Sequence, residues 1–202
     1  MAGEKTAIMK VEELGVEINK EFILNNVLLC VESYDAEARD GIIYGETLDL
    51  RTYYRLLIDD ERSLKITEKF INAYDINVME LHESACKNVR EKLMIQNLGS
   101  FLFGQADPIG PDIVSNTDMR FGSGIISFRD VFSELCRKHN VNHCYILPSS
   151  IHEILVHYPL GCETKEDFDY MVQSVNKQEV LPEERLADHC YVYRLGSDTL
   201  EY

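Results

Sequence analysis

One sequence feature constrains the fold of this chain more than any other. Predicted strands occur in closely spaced pairs, and a predicted helix separates each pair from the next. Successive side chains of residues 50–58 are expected on opposite faces of a strand, one more apolar than the other. The β-prone segment SLKI follows after one turn. Residues 143–148 and 152–158 form a second pair around Pro148-Ser149-Ser150. Strands joined by a short turn pair antiparallel, because a parallel partner needs a long crossover. The pattern predicts an α+β protein with a single, mainly antiparallel sheet and helices packed on it.

Helix signals lie between these strands. Apolar residues recur at three- and four-residue steps from Val78 to Leu93, and residues 129–139 carry a similar stripe. The run from Thr164 to Asp167 is a capping box, which predicts a helix to about Lys177. Its expected apolar face consists of Phe168, Met171, Val172 and Val175. We also expect a helix before Asn19, a helix capped by Thr67, and strands in residues 22–34 (after Asn25-Asn26), 112–116, 124–128 and 190–195.

Composition suggests a division of the chain into two parts. Residues 1–49 are expected to form an N-terminal acidic arm or an extra helix and strand, and residues 50–202 the α+β core domain. Five glycines and prolines interrupt the helical pattern between residues 98 and 111. Such a concentration predicts a loop, and a loop of this length is often functional. This Gly/Pro-rich excursion is the best candidate for a functional insertion.

The distribution of charge bears on the class of partner. The net charge of −15 is divided unevenly, with −7 in residues 1–50, −2 in residues 51–159 and −6 in residues 160–202. A nearly neutral middle between two acidic ends indicates a packed core flanked by solvated surfaces. Because an acidic surface repels a phosphate backbone, direct nucleic-acid binding is not expected.

The six cysteines are widely scattered and form no C-x-x-C pair. The first residues, MAGEKTAIMK, contain no apolar segment and no cleavage site typical of a signal peptide. The longest aliphatic stretch, near Val27–Val31, is too short to span a bilayer. These features predict a cytoplasmic protein with reduced thiols and no membrane contact.

A resemblance to a known family rests on two segments. They are YILPSSIHEILVHY, with its LPSS-x-HE motif from Leu147 to Glu153, and YMVQSVNKQEVLPEERLADHCYVYR, which contains VNKQEVLPEE and an aromatic closing strand. Together they resemble an uncharacterised bacterial family, a domain of unknown function, over about three-quarters of the chain. The resemblance implies a bacterial protein, often encoded near mobile elements. It implies no activity, so no catalytic residue is carried over from the family.

Ser150, His152 and Glu153 are the candidate catalytic residues, as a nucleophile with a neighbouring base and carboxylate. No G-x-S-x-G elbow surrounds the serine, and a turn-shaping role for the motif is the simpler interpretation. His152 and His157 are five residues apart, which does not match the H-E-x-x-H zinc motif. The cluster of Cys136, His139, His143 and Cys144 lacks the usual zinc-ligand spacing. We therefore expect no metal and no cofactor.

The absence of an assembled catalytic signature favours a non-enzymatic protein-binding or regulatory accessory factor, and the family resemblance suggests a link to a mobile element. Its expected partner is another protein. One alternative is a hydrolase or transferase that uses Ser150, His152 and Glu153. Another is an acidic protein that mimics nucleic acid and inhibits a bacterial defence or nucleic-acid-processing enzyme.

Overall fold

A computed structural model describes residues 17–202, which form ten strands, six α-helices and two 3₁₀-helices. The predicted helix before Asn19 lies mostly outside the described residues. The helices are α1 Lys20–Asn26, α2 Glu68–Ala73, α3 Val78–Glu91, α4 Leu98–Phe103, α5 Arg129–Lys138 and α6 Lys165–Gln178, with the 3₁₀-helices η1 Gly122–Ser127 and η2 Pro182–Glu184. The strands are β1 Val27–Ser33, β2 Tyr44–Thr47, β3 Leu50–Leu57, β4 Ser63–Lys65, β5 Leu93–Asn97, β6 Asp112–Asn116, β7 His143–Leu147, β8 Ile154–His157, β9 Tyr191–Arg194 and β10 Thr199–Glu201.

The first sheet is built around β3. Strand β1 pairs antiparallel with one edge of β3, and β2 and β4 pair antiparallel with the other. The predicted hairpin between residues 50–58 and SLKI is confirmed by the β3–β4 pairing. The boundary predicted between residues 49 and 50 falls in the turn between β2 and β3, inside this sheet.

The second sheet contains six antiparallel strands in the order β10-β9-β7-β8-β6-β5. The α+β class is therefore confirmed, but the prediction of a single sheet is wrong. Two separate sheets form because strands β1 to β4, within residues 27–65, pair only with one another. The later strands pair among themselves. Antiparallel pairing holds throughout both sheets.

The 3₁₀-helix η1 lies between the two sheets and contacts both β1 and β6. Residues 124–128 were predicted as a strand, and this prediction is wrong. The reason is the space available: a Cβ on Gly124 would lie 1.9 Å from the Leu29 carbonyl oxygen, and one on Gly122 would lie 2.3 Å from Ser115 Oγ. Two glycines let this backbone approach β1 and β6 closely, where a side chain would be excluded.

Both faces of the second sheet are covered. Ile146, Tyr191 and Tyr193 point into the main core, where Phe132 of α5 packs against Tyr193 at 6.0 Å between ring centroids. The opposite face packs against α6 and forms a smaller core, made of Tyr145, Leu147, Phe168, Val172, Cys190 and Val192. The alternation of side chains along β9 places neighbouring residues in different cores.

The capping signals are confirmed in atomic detail. Thr164 and Asp167 form the predicted capping box at the start of α6, and Thr67 caps α2 through the Phe70 N–H. Two residues of the predicted apolar face of α6 are not covered, since Met171 and Val175 are exposed. No helix within residues 17–202 combines the length and apolar character needed to cross a bilayer.

Candidate functional site

The Leu147–Glu153 motif forms a tight loop between β7 and β8 whose polar groups bind one another. The Ser150 hydroxyl donates to Glu153 Oε1 at 3.0 Å and accepts the His152 backbone N–H at 3.0 Å. The Ser150 carbonyl accepts the hydroxyl of Ser123 in η1. Ser150 is buried, with 7% of its surface exposed. The three candidate residues thus lie together in one turn, which is hydrogen-bonded to Ser123 of η1.

The His152 imidazole contacts partners other than the Ser150 hydroxyl. Its Nδ1 accepts the Phe121 N–H at 3.2 Å, and its Nε2 lies 3.4 Å from Glu184 Oε1. Because Nδ1 is an acceptor, the neutral ring carries its proton on Nε2 and donates it to Glu184. A general base needs a free ring nitrogen within reach of the hydroxyl that it deprotonates. This arrangement supports a structural role for the motif, and its catalytic use stays a prediction.

Phe121 connects the motif to the first sheet. Its backbone is left-handed, with φ 57°, a conformation that costs a non-glycine residue about 1 kcal/mol or more. Its ring lies 5.2 Å from the His152 ring and 4.1 Å from the Arg55 guanidinium carbon. The hydrogen bond to His152 and the stacking on Arg55 hold Phe121 in this strained conformation.

Three residues of the Cys/His cluster, namely Cys136, His139 and Cys144, make contacts that have a structural role. Cys136 and Cys144 are buried in the main core, and contact with the Cys136 thiol, together with burial, raises the pKa of Cys144. His139 stacks on Tyr158 at 3.6 Å and lies 3.3 Å from Asp112, whose carboxylate accepts the Tyr158 hydroxyl at 2.7 Å. Within the described part of the chain, no three His, Cys, Asp or Glu side chains are arranged to hold a metal ion.

The predicted loop at residues 98–111 contains the short helix α4, which corrects the expectation of an irregular excursion. Asn97 caps α4 through the Ser100 N–H, and Gly104 ends it with a left-handed φ of 70°. The helix buries none of its residues. Five apolar side chains of β5, α4 and the following turn are exposed, and we call them the apolar tip: Ile95 (37%), Phe101 (41%), Leu102 (57%), Phe103 (80%) and Ile109 (63%).

Strand β5, which contributes Ile95 to the apolar tip, is an edge strand of the second sheet. Lys92 and Leu98, which flank it, are hydrogen-bonded to Thr117 and Pro111 on the β6 side. Because bonded and non-bonded pairs alternate in an antiparallel ladder, the N–H and C=O groups of Leu93 and Ile95 point away from β6. Among the described residues, the edge therefore offers backbone groups with no strand partner, next to exposed aromatic side chains. The FLF run in the sequence was the available signal for this surface.

Comparisons with known proteins define the family. The model of DUF5688, a family of unknown function, matches residues 28–195, from β1 to the residue after β9. No curated protein and no solved structure gives a significant match to the chain. The family match confirms the expectation that the chain belongs to an uncharacterised domain family. The chain therefore belongs to the DUF5688 family of unknown function.

Proposed function

We propose that this protein is a non-enzymatic binding protein, acting as an accessory factor in the bacterial cytoplasm. It holds another protein through the apolar tip and the β5 edge. The observation that carries the proposal is the apolar tip, in which Phe103 is 80% exposed and Leu102 57% exposed. Four of the five side chains lie within residues 101–109, and exposed apolar surface concentrated in this way is typical of protein interaction sites. The six cysteines are free thiols, which suits a reducing compartment.

The partner contributes an extended segment that pairs with β5. The outward N–H and C=O groups of Leu93 and Ile95 supply backbone hydrogen bonds to that segment. The aromatic side chains of α4 cover its apolar residues. This is the strand-addition mode of recognition, in which backbone bonds give affinity and side-chain contacts give specificity. It needs no conformational change in the sheet, because the β5 edge is already formed.

Two variants test the proposal. The triple variant Phe101→Ser, Leu102→Ser, Phe103→Ser removes the aromatic surface, and Ile95→Pro blocks the edge. Proline is tolerated at Ile95 because the N–H that it removes points outward and makes no bond to β6. The matched control is the double variant Met171→Ser, Val175→Ser, which removes exposed apolar side chains from α6 instead.

The assay is quantitative affinity capture from a bacterial extract, with circular dichroism to check folding. Partners captured by the wild-type protein are expected to be retained by the control and lost by both test variants. If the same partners are captured equally by all four proteins, the apolar tip is not the binding surface. If no partner is captured while the protein turns over members of a substrate library, the protein is an enzyme instead.

A further inference from the structure

A groove of about 1120 Å³ runs between the first sheet and the chain segment 182–189. One wall is the sheet face that carries Glu32 of β1, Arg55 of β3 and Lys65 of β4. Arg51, Tyr53 and Arg55 alternate along β3, so they share this face with Glu32, which pairs with Arg51 in register. Of these three β3 residues, Arg55 lines the groove.

Arg55 is the central charge of the groove. Its side chain is partly buried, hydrogen-bonded through Nη1 to Ser63 Oγ at 2.9 Å, and its Nε is buried without an acceptor. The guanidinium stacks on Phe121 at 4.1 Å and lies 5.7 Å from the Tyr53 ring centre. Within residues 17–202, no carboxylate lies at ion-pair distance from the Arg55 guanidinium. Glu32, on the same sheet face, is paired with Lys65 and Arg51 instead. A partly buried guanidinium without a counter-charge is costly, and an anionic group would stabilise it.

The groove leaves charges of both signs unpaired. Arg39 and Arg185 line it too, and neither has a carboxylate partner among the described residues. Five carboxylates along the same groove make no ion pair within the described part of the chain, namely Asp35, Glu37, Glu46, Glu183 and Asp188. These carboxylates belong to exposed residues, whereas Arg55 is partly buried. The buried wall of the groove therefore carries Arg55 beside the Glu32–Lys65 ion pair, and exposed carboxylates line its rim.

We infer that the groove binds a zwitterionic ligand, with a carboxylate on Arg55 at the buried wall and ammonium or guanidinium groups at the acidic rim. The Arg55 guanidinium supplies the charge and the N–H donors that a carboxylate accepts. The rim carboxylates repel polyanions and attract cationic groups. A peptide segment with one acidic residue between basic residues has this chemistry, and so does a free basic amino acid. The site is distinct from the apolar tip, and the inference does not depend on the proposed function.

The test measures binding of short probes by isothermal titration calorimetry. The probes are four blocked pentapeptides, with a central glutamate or glutamine and with lysine or alanine at both ends, together with free L-lysine and cadaverine, which lacks the carboxylate. The lysine-flanked glutamate peptide is expected to bind most tightly. Replacing its glutamate by glutamine is expected to weaken binding about tenfold or more, as for the loss of a charge-assisted hydrogen bond. L-lysine binding without peptide binding would identify the free amino acid as the source of the ligand chemistry.

Protein variants locate the site. Arg55→Gln is expected to weaken binding about tenfold or more, with Arg185→Gln as a second variant in case Arg55→Gln is unstable. Arg137→Gln, at an exposed arginine that does not line the groove, is the matched control and should bind like the wild type. The inference is wrong if no probe binds at millimolar concentration, or if the groove variants and the control bind equally.

Discussion

The substitution Gly124→Ala tests whether the packing of η1 against β1 requires a glycine at this position. Its Cβ would lie 1.9 Å from the Leu29 carbonyl oxygen, and Cβ contacts under 3.0 Å essentially do not occur. The obstructing atom belongs to the backbone of β1, which is fixed by its pairing with β3, so it cannot move alone. Overpacking in a rigid core costs about 1–3 kcal/mol. We expect about 3 kcal/mol, the upper end, which lowers Tm by about 6–12 °C in a domain of this size.

Urea unfolding followed by circular dichroism measures the effect, and Gly196→Ala provides the control. A Cβ on Gly196 meets nothing within 4 Å, and its φ lies outside the left-handed region, so its free energy of unfolding should change by less than about 0.5 kcal/mol. The comparison separates the steric effect from the general effect of replacing glycine on the unfolded chain. Equal midpoints for the two variants would refute the idea that η1 needs a glycine at this position.

Two further substitutions probe buried groups. Asn88→Ala removes the side-chain amide that donates to the carbonyls of Leu24 and Val27, both at 2.8 Å. We expect the free energy of unfolding, measured in urea, to fall by about 2 kcal/mol, and a change under about 0.5 kcal/mol would contradict this. Burial raises the pKa of Cys30 to about 12, above its unfolded value of about 8.5. The folded state keeps this thiol protonated while the unfolded state loses the proton, so stability should fall as pH rises from about 8.5 towards 12, by about 1.4 kcal/mol per pH unit for this group. Cys30→Ala should flatten that slope, and an unchanged slope would exclude the assignment.

Local signals in the sequence predicted much of the fold. Thr67 and Thr164 cap helices where expected, because an N-cap depends only on a few neighbouring residues. Helix α3 was predicted from its apolar spacing, and β3 with β4 from alternation and a short turn. These features need no information from distant parts of the chain.

The remaining features depend on distant contacts or on backbone space. The division into two sheets could not be predicted, because β7 pairs with β9 across α6 and no local pattern specifies that partner. Residues 124–128 are β-prone in composition, yet a close approach to Leu29 imposes a 3₁₀-helix. The helix α4 was missed, although Asn97 before three large apolar residues and Gly104 after them are ordinary cap signals.

The candidate sites differ in how far the sequence could locate them. The motif at Ser150, His152 and Glu153 was identified as a segment, but the direction of the His152 ring depends on Phe121 and Glu184. The groove was not predicted at all. Its walls come from segments more than a hundred residues apart, and Arg55 has no neighbour in sequence that marks it as a ligand contact.

The position of η1 against β1 also has a consequence for biosynthesis. Strand β1 contains the uncharged run Val27–Val31, which is buried in the finished protein, and such segments are prone to aggregate while they are exposed. Gly124, which approaches Leu29 closely, is made about 95 residues later, roughly 5–20 s at the usual speed of translation. Strand β3 and helix α3 are made earlier and cover part of β1, so only the surface of β1 that η1 covers stays exposed during that interval. A ribosome-associated chaperone is expected to engage residues 27–31 until the 3₁₀-helix has emerged.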